Sequence, residues 1–401
     1  MSVMNYRYII VGAGLAGVSA VEGIREVDPE GPVLLLGHEK HLPYDRPPLS
    51  KKLWFGQKTV EEISVHPEEW YPEQGVEALP HVEVVAVDPA AKSVTTAGGR
   101  VYTYDKLLLA TGGQPRRLTI PGGDLEGLYY YRYLDDYLHL RAQVAAGTLV
   151  TVIGGGFIGS EMAAALSIAG AEVTLLYPGP YLVDRVFPAG LARSLEDVYR
   201  SQGVRVLPGE SPIALERQGD KYITTTDTRE HVVADAVVIG IGITPTTALA
   251  QAAGLQVGNG IAVNEYGQTS HPDLYAAGDV AEFPYTALGE TTRLEHWDHA
   301  INHGKSAGRN LAGAASPYDY LPYFFSDLFE FGYEAVGNCS PRLETFADWQ
   351  KENETGVIYY LADHRVRGAM MCNVWDQVPA ARELILAGKT VTESDLRGAI
   401  S

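Results

Sequence analysis

Apolar positions in this chain fall in short, dense runs instead of long amphipathic stripes. Arg7-Tyr8-Ile9-Ile10-Val11 predicts a strand covered on both faces. It runs into Gly12-Ala13-Gly14-Leu15-Ala16-Gly17, then an alanine-containing helix that fades before Asp28-Pro29, and Val33-Leu34-Leu35-Leu36-Gly37 supplies the next strand. The same order returns later: strand Leu149-Val150-Thr151-Val152-Ile153, turn Gly154-Gly155-Gly156-Phe157-Ile158-Gly159, a small-residue helix over 160–169, and strand Ala171-Glu172-Val173-Thr174-Leu175-Leu176. A strand, glycine turn, helix and strand occurring twice predict two dinucleotide-binding units.

Between and after these repeats the texture changes. Residues 82–85 and 93–96 alternate as strands do, and Lys106-Leu107-Leu108-Leu109-Ala110 reads as a buried strand ending at Thr111-Gly112-Gly113. The first domain pauses near Pro121-Gly122-Gly123, and the second closes with a strand at 236–240. A further strand and turn occupy 273–279, and a helix is predicted over 300–311. Past Pro317, candidate strands at 323–325, 330–336, 356–360 and 368–371 predict an antiparallel α+β tail. The expected fold class is therefore α/β, with two Rossmann-like domains and a C-terminal α+β domain.

Composition narrows the function. Lys and Arg total 31 against 50 Asp and Glu, a formal charge of -19. That field disfavours nucleic acid and anionic membrane surfaces as partners. No export signal and no apolar run of membrane-spanning length stand in the sequence, so a cytoplasmic protein is expected. Cys339 and Cys372 are the only cysteines and form no redox pair of the Cys-x-x-Cys kind, so any electron transfer must run through a bound cofactor. Two reduced, packed thiols are expected. His296 and His299 are too few for a zinc site, and no metal is assigned.

A diphosphate needs backbone N–H groups aimed at it and no side chain in the way. Gly12 permits the tight turn, Gly14 the close backbone approach, and Gly17 the packing of helix on sheet. Glu39, just after the second strand, is placed to hold an adenosine ribose. Gly154, Gly156 and Gly159 repeat the arrangement for a second dinucleotide, with Phe157 inside the turn as a ring to pack on or guard the nicotinamide.

The segment Gly37-His38-Glu39-Lys40-His41-Leu42-Pro43-Tyr44-Asp45-Arg46-Pro47-Pro48-Leu49-Ser50-Lys51 resembles one in the flavoprotein reductases of oxygenase systems. That group is similar to ferredoxin and rubredoxin reductases and, more distantly, to apoptosis-inducing factor, within the FAD-dependent pyridine-nucleotide oxidoreductases of glutathione-reductase-like fold. Ala110-Thr111-Gly112 resembles the family's Ala-Thr-Gly turn, and Tyr275-Ala276-Ala277-Gly278-Asp279 its distal FAD motif. The resemblance implies that Arg46 lies near FAD, that Lys51 sits beside the reactive part of the flavin with Glu161 as its ion-pair partner, and that Asp279 binds cofactor hydroxyls. It also implies Trp297 over or beside the flavin ring and Phe325 near the nicotinamide side. The implied domains are 1–121 and 245–316 for FAD, 122–244 for NAD(P)H, and 317–401 at the C-terminus.

The resemblance implies NADH as the donor, while the residues themselves leave NADPH open. Leu175-Leu176-Tyr177-Pro178-Gly179-Pro180 offers no carboxylate for an unmodified ribose, and Arg185 can meet a 2′-phosphate. The resemblance implies hydride transfer to FAD and one-electron delivery to a ferredoxin-like iron–sulfur protein, in a monomer or homodimer. An NAD(P)H oxidase or quinone reductase, and a redox-sensing protein resembling apoptosis-inducing factor, are the competing readings.

Overall fold

Strands such as Val33–Leu36 are apolar at every position because both faces of their sheet are covered. The structure, a computed structural model, describes residues 4–400. These form two units interleaved along the chain. One comprises the residues up to Asp45, Val60–Gln114 and Thr244–Pro322; the other comprises Arg46–Thr59, Pro115–Ile243 and the residues from Tyr323 onward.

In the first unit, parallel strands lie in the order Val76–Leu79, Val33–Leu36, Met4–Val11, Val101–Leu109, and Leu274–Ala276 runs parallel to the end of Val101–Leu109. The hairpin Val84–Asp88 and Ser93–Thr96 extends the sheet antiparallel from the start of Val101–Leu109. Ile10, Leu35 and Leu108 pack beneath the helix Leu15–Arg25, while Ile9, Leu34 and Leu107 pack on the opposite face with Ala250 and Leu255. Each such side chain contributes about 1.5–3 kcal/mol by leaving water.

Helix Leu15–Arg25 lies against helix Trp297–Leu311 with no room for side chains at the crossing. A Cβ on Gly23 would stand 2.0 Å from the Lys305 carbonyl oxygen, on Gly304 2.3 Å from that of Ala16, and on Gly308 2.1 Å from that of Ala20.

The second unit carries an all-parallel sheet in the order Arg205–Pro208, Glu172–Tyr177, Leu149–Ile153, Ala236–Ile239, Tyr129–Tyr130. It also has an antiparallel meander of Pro212–Gln218, Lys221–Thr226 and His231–Ala234. Its C-terminal part is an antiparallel sheet ordered Tyr323–Leu328, Phe331–Gly337, Arg365–Cys372, Thr355–Ala362, Glu344–Lys351, against which helix Val378–Ala387 packs. The α/β class with an antiparallel C-terminal sheet is therefore the architecture present.

Several elements were not foreseen. Helices Leu134–Gln143 and Ala189–Ser201, strand Val76–Leu79, the meander and strand Glu344–Lys351 all escaped the periodicity reading. Two helices also begin earlier than predicted, at Phe157 and at Trp297, so Phe157 belongs to the first helical turn. Among the described residues, no helix is long and apolar enough to cross a membrane.

Candidate dinucleotide and redox sites

The two glycine turns are built alike, each within its own unit. Gly12 donates its N–H to the Leu36 carbonyl at 2.8 Å, and Gly154 donates to that of Leu176 at 2.9 Å. Both take a positive φ, +117° and +124°, and a Cβ would stand 2.1 Å from the Ala110 carbonyl oxygen at Gly12 and 2.3 Å from that of Gly240 at Gly154. Only glycine tolerates that combination. Gly17 and Gly159 close the turns, because a Cβ there would reach the carbonyl oxygens of Gly12 at 2.0 Å and Gly154 at 1.8 Å.

Gly14 and Gly156 differ from the other four. A Cβ at either would meet nothing within 4 Å. Each is the N-cap of its helix, and neither cap has a side-chain hydrogen bond among the described residues. The first-turn N–H groups of a helix lack intrahelical partners, so both helices present uncapped amides and positive dipole ends toward space kept clear of side chains. That arrangement fits the diphosphates of FAD and of a nicotinamide dinucleotide.

Around the first turn, Glu39 accepts a hydrogen bond from the Tyr44 hydroxyl at 2.6 Å. Thr111 donates its hydroxyl to the Thr246 carbonyl at 2.7 Å, fixing the Ala110-Thr111-Gly112 turn, where Gly112 has φ +59°. Gly278 begins a short helical turn at φ +75°, with a Cβ position 2.7 Å from that of Ala16, and Arg293 donates to the Asp279 carbonyl at 3.0 Å. The Trp297 indole N–H donates to Asp45 at 2.8 Å, which fixes the ring edge.

Behind this turn lie two buried histidines. His303 Nδ1 accepts the Gly278 N–H at 3.3 Å, and His299 Nδ1 is 3.1 Å from the Tyr318 hydroxyl, in a cluster with the Phe283 ring. Burial lowers the His303 imidazole to about 3 and pushes His299 well below its ordinary value, so both are neutral. His299 is thus a core group, not a surface one. His296 is held down to about 4 by burial, against an opposing pull from Asp279.

The second unit contains a buried, hydrogen-bonded charge cluster. Pro47–Ser50 forms a short helical turn, tied down by the Tyr131 hydroxyl, which donates to the Leu49 carbonyl at 2.5 Å and accepts from the Trp54 indole at 3.1 Å. This presents Lys51, 5% exposed, to Glu161, also 5% exposed, at 2.5 Å. The Ser50 hydroxyl donates to the other carboxylate oxygen at 2.5 Å, and the Ser326 hydroxyl donates to the first at 2.6 Å. The Lys51 ammonium also lies 5.5 Å from the Phe325 ring centroid. Ser50 and Ser326 were missing from the sequence reading, because a lone serine carries no pattern.

Other predicted residues fall nearby in the same unit. Arg46 donates to the Arg132 carbonyl at 3.0 Å and lies over the Tyr133 ring. Phe157 is 36% exposed, 5.8 Å from the Phe324 ring centroid. Cys339 and Cys372 are free and buried in the C-terminal sheet, and burial pushes both thiols upward, so neither supplies a thiolate. Among the described residues, no group of His, Cys, Asp and Glu can hold a metal ion.

Comparison with known proteins extends these observations to the whole chain. A ferredoxin reductase subunit of 5,5′-dehydrodivanillate O-demethylase from a Sphingobium species is 34% identical, over 98% of this chain and 97% of its own. Monodehydroascorbate reductase of Solanum lycopersicum is 30% identical, over 92% of both chains. The solved covalent complex of putidaredoxin reductase with putidaredoxin includes a chain that superposes with a TM-score of 0.92 at 32% identity, covering 98% of this chain and 96% of that one. Residues 6–304 match the pyridine nucleotide-disulphide oxidoreductase family. With that match and the two uncapped glycine turns, the chain belongs to this family, as an NAD(P)H-dependent flavoprotein reductase.

Proposed function

We propose that the protein takes electrons from NADH and delivers them to a ferredoxin-like iron–sulfur protein. The observation that supports this reading is likeness along almost the whole chain to a ferredoxin reductase subunit and to a putidaredoxin reductase solved in covalent complex with putidaredoxin. Bound FAD supplies the change from a two-electron donor to one-electron delivery. In this reading, residues 1–121 and 245–316 hold FAD, 122–244 hold the nicotinamide dinucleotide, and 317–401 form a third domain, in a cytoplasmic monomer or homodimer.

Gly12, Gly14 and Gly17 then receive the FAD diphosphate, Glu39 the adenosine ribose, and Asp279 a cofactor hydroxyl. Arg46 and Trp297 orient the flavin. Lys51 would set its ammonium beside the flavin ring, where it would favour negative charge, and Glu161 would keep that ammonium in position. Gly154, Gly156 and Gly159 bind the second dinucleotide, with Phe157 and Phe325 as packing rings.

Anaerobic mixing with NADH and NADPH in separate runs, followed by candidate ferredoxins, rubredoxins and quinones, tests the proposal. Fast flavin bleaching by NADH and fast recovery with a ferredoxin are expected. A flavin left oxidised by both nucleotides refutes it. The tomato relative favours a second reading, a small-molecule acceptor, which predicts fast recovery with a radical or quinone and slow recovery with every ferredoxin. An assembly role would instead show slow turnover and nucleotide-dependent light scattering.

A further inference from the structure

Choice between NADH and NADPH depends on what stands at the end of the second strand of the nucleotide domain. A carboxylate there bonds the ribose 2′-hydroxyl and repels a 2′-phosphate. The strand-end residue Tyr177 does not serve: its ring is buried under the glycine turn, and its hydroxyl donates to Glu196 at 2.7 Å.

The two glycine turns supply a common ruler. Leu36 and Leu176 both accept the N–H of the first glycine in their own turn, and they pair with Val11 and Ile153 respectively. Counting three residues on from each leucine reaches Glu39 in the first unit and Gly179 in the second, so glycine stands where the first unit has its ribose acid.

The place is nevertheless filled by a carboxylate. A Cβ on Gly179 would stand 2.7 Å from Asp184 Oδ2. The chain turns back to deliver it: Val183 takes φ +52°, a costly conformation for a β-branched residue, and its N–H is pinned to the Gly155 carbonyl at 2.7 Å. The preceding Leu182 N–H donates to Glu196 at 3.1 Å. Asp184 itself is partly exposed and, among the described residues, makes no hydrogen bond or ion pair. Arg185 is exposed.

We infer that Asp184, reaching back across Gly179, is the residue that binds the adenosine ribose hydroxyls and excludes the 2′-phosphate, making the protein NADH-selective. The inference rests on the proposed nucleotide-binding role of this unit and names its specificity residue. The acid is supplied from the loop after the strand, which is why the strand end lacks one.

The test uses the FAD-loaded protein and two probes without a nicotinamide, ADP-ribose and 2′-phospho-ADP-ribose, titrated by calorimetry. Wild type is expected to prefer ADP-ribose, and Asp184→Asn to narrow that preference by at least about tenfold, or about 1.4 kcal/mol. Asp184→Ser provides the same reading should the asparagine variant fold poorly, with flavin content and melting temperature as checks. An unchanged preference in both variants, or a wild type that prefers the phosphorylated probe, overturns the inference while leaving the nucleotide site standing. Binding of neither probe by wild type removes the site and the inference together.

Discussion

Lys51→Met is the most informative single perturbation of the buried charge cluster. Glu161 has three donors, Lys51 at 2.5 Å, Ser50 at 2.5 Å and Ser326 at 2.6 Å, and both charged side chains are 5% exposed. Removing the ammonium leaves a buried carboxylate with only two neutral hydroxyls, which should destabilise the second unit by about 3–5 kcal/mol. Glu161→Gln strands the ammonium in the same way, with the Phe325 ring as partial compensation of about 0.5–2 kcal/mol. The double variant removes both charges while leaving an amide oxygen to accept from a serine, so it should be more stable than Lys51→Met by about 2 kcal/mol. Urea unfolding followed by circular dichroism on wild type, both singles and the double gives the coupling. If Lys51→Met unfolds within about 0.5 kcal/mol of wild type, or the double variant is no better than that single, the pair is not coupled and the reasoning fails.

Gly14→Ala should leave the apoprotein's melting temperature unchanged, since its Cβ meets nothing within 4 Å, yet purify with little flavin; Gly17→Ala should lose stability as well, because its Cβ would lie 2.0 Å from a carbonyl. Absorbance ratios and melting curves check both. His299 and His303 are lowered in the fold, so below the ordinary imidazole range the unfolded chain takes up protons that the folded chain refuses. Stability is therefore full above about pH 6.5 and should fall on acidification by up to about 1.4 kcal/mol per pH unit for each histidine. The slope, read from unfolding at several pH values, should drop by about one proton in His303→Gln. Native protein should give no reaction with a disulfide thiol reagent, and unfolded protein should react at both Cys339 and Cys372; fast native labelling would contradict their burial.

The central strands and both glycine turns were readable because full burial leaves only apolar residues, and tight turns leave only glycine. Glu344–Lys351 was not, since its sequence Glu-Thr-Phe-Ala-Asp-Trp-Gln-Lys is mostly polar and it lies at a sheet edge with much of its surface in water. Leu134–Gln143 buries only Leu134, Tyr137 and Leu140, too narrow a stripe beside its charged residues. The Lys51 and Glu161 positions came from the resemblance, but Ser50 and Ser326, which complete the cluster, lie 111 and 165 residues from Glu161. Asp184 was passed over for a similar reason: the sequence shows a missing acid at Gly179, and only the fold shows a neighbour filling the gap.

The glycine-to-carbonyl crossing of Leu15–Arg25 with Trp297–Leu311 sets a timetable for biogenesis. During synthesis the first strand, turn and helix emerge early, but the helix that locks against them and the strand Leu274–Ala276 that completes their sheet are made much later. Until the ribosome has passed Leu311, the apolar back of the Leu15–Arg25 helix has no permanent cover. The growing chain must keep that surface from wrong partners, and a truncation ending before Trp297 should leave a product that chaperones retain.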